Sequence, residues 1–166
     1  AERAKPFHCS VGQELLLPDR SPEYCYCIVE GQGRVLHNDP GLQRPVTLAY
    51  SRPGDLIGWS GLARRSPCEW ITASTPMRLI GFSAEDFYEL ERRSSRFRDW
   101  IDSNNSPAEL MAVLAPALHA RPQADPPERE VLGRLVRGIR LISARDERNS
   151  PVNDGAIWLW NAQISD

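Results

Sequence analysis

The chain has 166 residues and a formal net charge of −2 with a pI near 6.0, a size that fits one domain plus an extension. Such a charge balance gives no overall positive field of the kind that gathers nucleic acid, so no nucleic-acid partner is expected. It has neither a signal peptide nor an apolar run long enough to cross a bilayer, so this piece is expected to be soluble, with any membrane contact made by other parts of a longer chain.

From residue 14 to residue 81 the chain reads as short strands punctuated by turns. Glu14 to Leu17 leads into Pro18-Asp19-Arg20-Ser21-Pro22, a loop by its prolines and small polar residues. Tyr24 to Glu30 is the strongest strand, rich in aromatic and β-branched residues, and Gly31-Gln32-Gly33 folds it back into Arg34 to His37 as a hairpin. Cys25 and Cys27 flank Tyr26 there, so they share a face and lie too far apart for an easy disulfide. His8, His37 and His119 form no zinc spacing with Cys9, Cys25, Cys27 or Cys68. The cysteines therefore read as small apolar fillers in a reducing, cytoplasmic compartment, and no metal is expected.

Asn38-Asp39-Pro40-Gly41 is a second turn, and Pro45 to Tyr50 a strand whose leading proline marks an edge or a strand start. Pro53-Gly54-Asp55 turns again ahead of Leu56-Ile57. Trp70 to Ser74 and Met77 to Phe82, separated by Thr75-Pro76, complete the set. Roughly eight short strands at this spacing predict a mainly β fold, an antiparallel sandwich or jelly roll, followed by C-terminal α-helices.

Ser83-Ala84-Glu85-Asp86 is a helix start, with an acid three residues after the capping serine. Phe87, Leu90, Phe97, Trp100 and Ile101 recur at helical spacing, and their face is expected to pack on the roll until residues 102–107 stop the helix. A new helix starts at Pro107 with Ser106 as its cap and runs towards His119, with Pro116 to kink or end it. Residues 121–127 are a linker by composition, 128–136 another helix, and 139–143 and 156–162 strands on either side of a polar loop. Three stretches result: 1–104, the roll with its following helix; 105–138, a helical extension and linker; and 139–166, strand segments. The last stretch is either the start of a second roll or an added strand on the first. Trp158 and Trp160 share one face of the final strand. They either pack within the chain or leave an apolar surface through which two copies could pair as a homodimer.

Residues 52–73 hold the most informative motif: a Pro-Gly-Asp turn, then Gly58, a short Gly-led helical turn, and Ser66-Pro67 nine residues on. With Ile28-Val29-Glu30-Gly31 and Gly33 ahead of it, this succession resembles the phosphate-binding cassette of the cyclic-nucleotide-binding domain family, over about residues 7–100. The resemblance implies a double-stranded β-helix in which the first turn of the short helix lies under a cyclic phosphate, offering free N–H groups and the helix dipole. An arginine then pairs with the phosphate and an acid with the ribose. In that register Gly58 falls on the family glycine, but Trp59 on the acid and Cys68 on the arginine, while Glu69 brings a negative charge towards the phosphate position. Gly58, Trp59, Ser60, Gly61, Arg64, Arg65, Cys68 and Glu69 would line the former pocket, and Arg64 or Arg65 is the only local substitute for the lost cation. Losing a buried charged partner costs about 2–5 kcal/mol of binding, or roughly 30-fold to several thousand-fold in affinity. Ordinary binding of cyclic AMP or cyclic GMP is therefore not expected.

Three functions compete on this basis. A regulatory or interaction module, working through other domains of the same polypeptide, fits best. Its layout resembles the N-terminal cytoplasmic module of cyanobacterial ATP-binding-cassette exporters of the toxin or bacteriocin type. No phosphate-loop motif is present, so ATP chemistry would lie outside this chain. A catabolite-activator-type transcription regulator would need a tight helix-turn-helix, whereas the helices after residue 106 are separated by a proline-rich linker. A cupin-type metalloenzyme would need two histidines at close alternation with a carboxylate and a later histidine, and the chain has no His-x-His. No catalytic residue and no cofactor is assigned.

Overall fold

Every second residue of Met77–Ser83 turns inward, and this two-residue period sets the architecture. The computed structural model describes residues 4–38 and 45–112. Its strands are β1 (Lys5–Cys9), β2 (Glu14–Leu16), β3 (Tyr24–Glu30), β4 (Gly33–His37), β5 (Val46–Ser51), β6 (Leu56–Ile57), β7 (Trp70–Ala73) and β8 (Met77–Ser83). They form two antiparallel four-stranded sheets, ordered β1-β8-β3-β6 and β2-β7-β4-β5. The chain crosses repeatedly from one sheet to the other, so the sheets close face to face as a jelly roll. Its interior is filled by Leu16, Ile28, Val35, Ile57, Ile71 and Leu79, among others.

The mainly β fold and the strands from Glu14 onward are as expected, and Val46–Ser51 is indeed an edge strand. The sequence reading missed β1, in which Phe7 and Cys9 pack on the roll core. With Pro6 and His8 interleaved, it reads as a polar tail until it pairs with β8.

The helix expected to run from Ser83 past Trp100 is two helices, α2 (Ala84–Arg93) and α3 (Ser95–Ser103); α1 is the short cassette helix, Trp59–Ala63. Ser83 caps α2, its Oγ accepting from Asp86 N at 3.2 Å. Ser94 ends α2 in an extended conformation and caps α3 by accepting from Phe97 N. A second serine cap outcompetes continuation because a hydroxyl at this point satisfies a free N–H of a new helix. The break also rotates the apolar stripe. Phe87, Phe97, Trp100 and Ile101 pack together with Cys25, Trp59 and Leu62 in a second core, whereas Leu90, expected on that face, is 48% exposed.

Residues 107–112 are helical, and Ser106 caps them as expected, its Oγ accepting from Ala108 N at 3.2 Å. Glu109 reaches back to Ser106 N, completing a capping box. Ala108, Leu110 and Met111 are buried in the roll core. Part of the turn at 38–41, the helix beyond 112 with Pro116 and His119, the linker, the 128–136 helix and the strands at 139–143 and 156–162 lie outside the described residues.

Candidate functional site

The cassette begins where β6 ends. Gly58 takes φ +81°, and a Cβ there would stand 2.8 Å from Tyr24 O, so both backbone conformation and space demand glycine. From this left-handed step the chain enters α1. Arg64 ends the helix, and Arg65 at φ 56° supplies the left-handed turn that releases the chain into Ser66-Pro67.

Trp59 is 6% exposed and directed into the second core, its ring meeting Trp100 edge to face at 5.0 Å between centroids. It thus anchors α1 to α3. Ser60 is fully buried, with its Oγ 3.3 Å from Cys68 Sγ. Gly61 packs against Pro22, where a Cβ would come within 3.0 Å.

Glu69 is 5% exposed. Ser106 Oγ lies 3.5 Å from its Oε1, and Oε2 has no hydrogen-bond partner among the described residues. Burial pushes the carboxyl up to about 7, Glu109 adds to that, and the Ser60 hydroxyl with the N–H groups of Gly58 and Gly61 pull the other way. Those donors belong to the first turn of α1, so the carboxyl stands over the helix start that the resemblance assigns to a phosphate. Because no donor closes on Oε2, desolvation of the enclosed charge prevails over their dipoles.

Burial likewise pushes the Cys68 thiol up to about 12, against the Ser60 hydrogen bond and nearby Arg64 and with Glu69 and Glu109 reinforcing it. It therefore remains a neutral thiol near pH 7, neither an anion clamp nor an activated nucleophile. Arg64 is engaged elsewhere: its Nε donates to Glu109 Oε1 at 2.6 Å and its other donors reach the carbonyls of Ile101 and Asn104 at 3.4 Å. Arg65 turns outward, its guanidinium 3.9 Å above the Tyr88 ring and 3.7 Å from Glu91.

The structure thus gathers Gly58, Ser60, Gly61, Cys68 and Glu69 around the start of α1, while Trp59, Arg64 and Arg65 point to other partners. It also brings in Ser106 and Glu109. The Ser-x-x-Glu spacing marks these two as a helix start in the sequence, but nothing local reveals that they meet Glu69 and Arg64. An incoming oxyanion would find a carboxyl in its place and no arginine turned towards it.

No protein-family model matches the sequence, and a search of curated proteins returns no match. Solved structures do match the fold. FixK2 from Bradyrhizobium japonicum has a TM-score of 0.51 at 18% identity, over 59% of this chain and 48% of that chain. The c-di-GMP responsive global regulator CLP of Xanthomonas campestris gives 0.51 at 15% identity, over 80% and 57%. The EAL enzyme Bd1971 in its cAMP-bound form gives 0.51 at 14%, over 70% and 29%. The neighbours are cyclic-nucleotide-binding-domain proteins, and at such identities the likeness is one of fold. The chain spans less than two thirds of the length of each of the three.

Proposed function

We propose that this chain is a non-catalytic regulatory and interaction module that keeps the cyclic-nucleotide-type roll and works without the nucleotide. The observation that carries this reading is the buried Glu69 carboxyl over the first turn of α1, beside the neutral Cys68 thiol. A second phosphate-sized charge there would face both repulsion and an unfavourable loss of solvation.

In place of a ligand, the module has its own C-terminal segment. Ala108, Leu110 and Met111 enter the roll core, and Arg64 joins α1 to Glu109 and to the end of α3. A pull or push on the segment after residue 106 would therefore be felt at the cassette, the coupling a ligand would otherwise provide. Other domains of the same polypeptide are the partners this arrangement fits, in a cytoplasmic setting.

Calorimetric titration with cyclic AMP and cyclic GMP tests the reading. No saturable heat is expected up to about 1 mM nucleotide, for the natural chain or for Cys68→Arg, since restoring the cation leaves Glu69 and the 106–112 segment in place. Micromolar binding by the natural chain would overturn the reading.

The finer assignment, an N-terminal cytoplasmic module of an ATP-binding-cassette exporter, is supported by sequence layout alone: a cassette without its clamp, then a proline-rich connector. The downstream reading frame checks it. Membrane-spanning helices and a phosphate-loop motif are expected there, and a helix-turn-helix instead would favour the transcription-regulator alternative.

A further inference from the structure

The outer face of the second sheet holds a groove that none of the residues gathered around the start of α1 touches. Its volume is about 440 Å³. Arg34 on β4 stands between Tyr50 on β5 and Thr72 on β7, its register partners, so the three side chains share one face. Val35 next to it points into the core, which turns Arg34 outward. Ser74 continues this face one residue beyond β7, its N–H donating to Gln32 O at 2.8 Å. Val11, in the turn after β1, closes the near end.

Two features mark this groove as more than a fold in the surface. Arg34 Nε and Ser74 Oγ are both shut off from solvent, and neither has a hydrogen-bond partner among the described residues. Buried polar atoms are nearly always satisfied, so a pair of them in one lining points to a missing partner. The lining also contains a cation and no acid, and Glu14, which shares the face as the register partner of Thr72, is held by the Trp70 indole N–H at 3.0 Å. Beside these polar groups Tyr50 is 49% exposed, an aromatic residue next to the charge.

We propose that this groove binds a small oxyanion carried on an aromatic or apolar body. The oxyanion meets the Arg34 guanidinium, the enclosed Ser74 hydroxyl rotates outward to join it, and the body lies along Tyr50 and Val11. A guanidinium suits an oxyanion because its planar fork donates to two oxygens at once. Carboxylates and phosphates share this chemistry. The site is independent of the cassette and stands whether or not a nucleotide binds there.

The test is a titration of the 166-residue chain with phenyl phosphate, benzoate and, as a neutral match, benzyl alcohol, followed by amide chemical shifts. Saturable shifts at Arg34, Tyr50 and Ser74 are expected with at least one anion and not with benzyl alcohol. Tighter binding of phenyl phosphate would identify a phosphate ligand, and tighter binding of benzoate a carboxylate. Arg34→Met should weaken the response at least about tenfold, and Ser74→Ala by a smaller factor. The spectrum of each free variant reports its fold; if Arg34→Met does not fold, Ser74→Ala and the neutral compound decide. The site is overturned if no anion saturates these residues by about 10 mM, if benzyl alcohol matches the anions, or if a folded Arg34→Met binds unchanged.

Discussion

Trp59→Ala should destabilise the chain by about 3–5 kcal/mol, the usual range for emptying a buried tryptophan site. Against a typical domain stability of roughly 5–15 kcal/mol, that is about a fifth of the total or more. The indole lies between α1 and α3, in contact with Trp100, in a cluster that includes Cys25, Leu62, Phe87 and Ile101. Alanine would leave a cavity whose walls belong to three helices and β3, and so could not collapse evenly. Urea unfolding followed by far-ultraviolet circular dichroism gives the number, and Trp59→Phe should lose clearly less because a ring still meets Trp100. A loss below about 1 kcal/mol would mean that the indole fills an open ligand space instead, and the account of the cassette helix as a core element would fail.

Glu69 governs the second large effect, which depends on pH. Its folded pKa of about 7 is raised above the ordinary 4.5 by burial, opposed by Ser60 and the amides of Gly58 and Gly61 and reinforced by Glu109. A raised acid favours the protonated fold, so its contribution to stability is fully present below about pH 4.5 and is lost as pH rises through about 7. The amount at stake is roughly 3 kcal/mol. Glu69→Gln removes the titration while keeping the shape. The gap between variant and parent should therefore be small near pH 4 and widen in favour of the variant up to pH 8, measured by urea unfolding at each pH. Comparing the two proteins cancels the other carboxylates, which titrate in both. A gap independent of pH, or one widening towards acid, would show that burial does not raise the Glu69 pKa and would overturn its description as a desolvated carboxyl.

Much of the roll was legible because its information is local. The two-residue period of Met77–Ser83, the aromatic and β-branched run of Tyr24–Glu30 and the Pro-Gly-Asp turn each specify their own conformation within a few positions. The same locality explains what went unseen. Lys5–Cys9 has no strand signal until β8 offers its edge, and the break at Ser94 brings Phe97, Trp100 and Ile101 into the second core with Trp59, a contact across some forty positions that no local pattern shows. Arg65 reads as a reserve cation beside the pocket, yet a left-handed backbone at that residue turns it towards Tyr88.

What the amino-acid order alone indicated is the jelly-roll architecture, from the spacing of strands and turns, and a resemblance that sets Trp59 and Cys68 where the cyclic-nucleotide-binding family has an acid and an arginine. Only the folded chain decided what stands there instead. Glu69 meets Ser106 across 37 positions and Arg64 meets Glu109 across 45. Contacts at such separations leave no periodic trace, because they exist only once the sheets have closed and brought the segment after α3 back over the cassette. The desolvation that raises the Glu69 pKa arises from that closure as well, and no single stretch of residues encodes it.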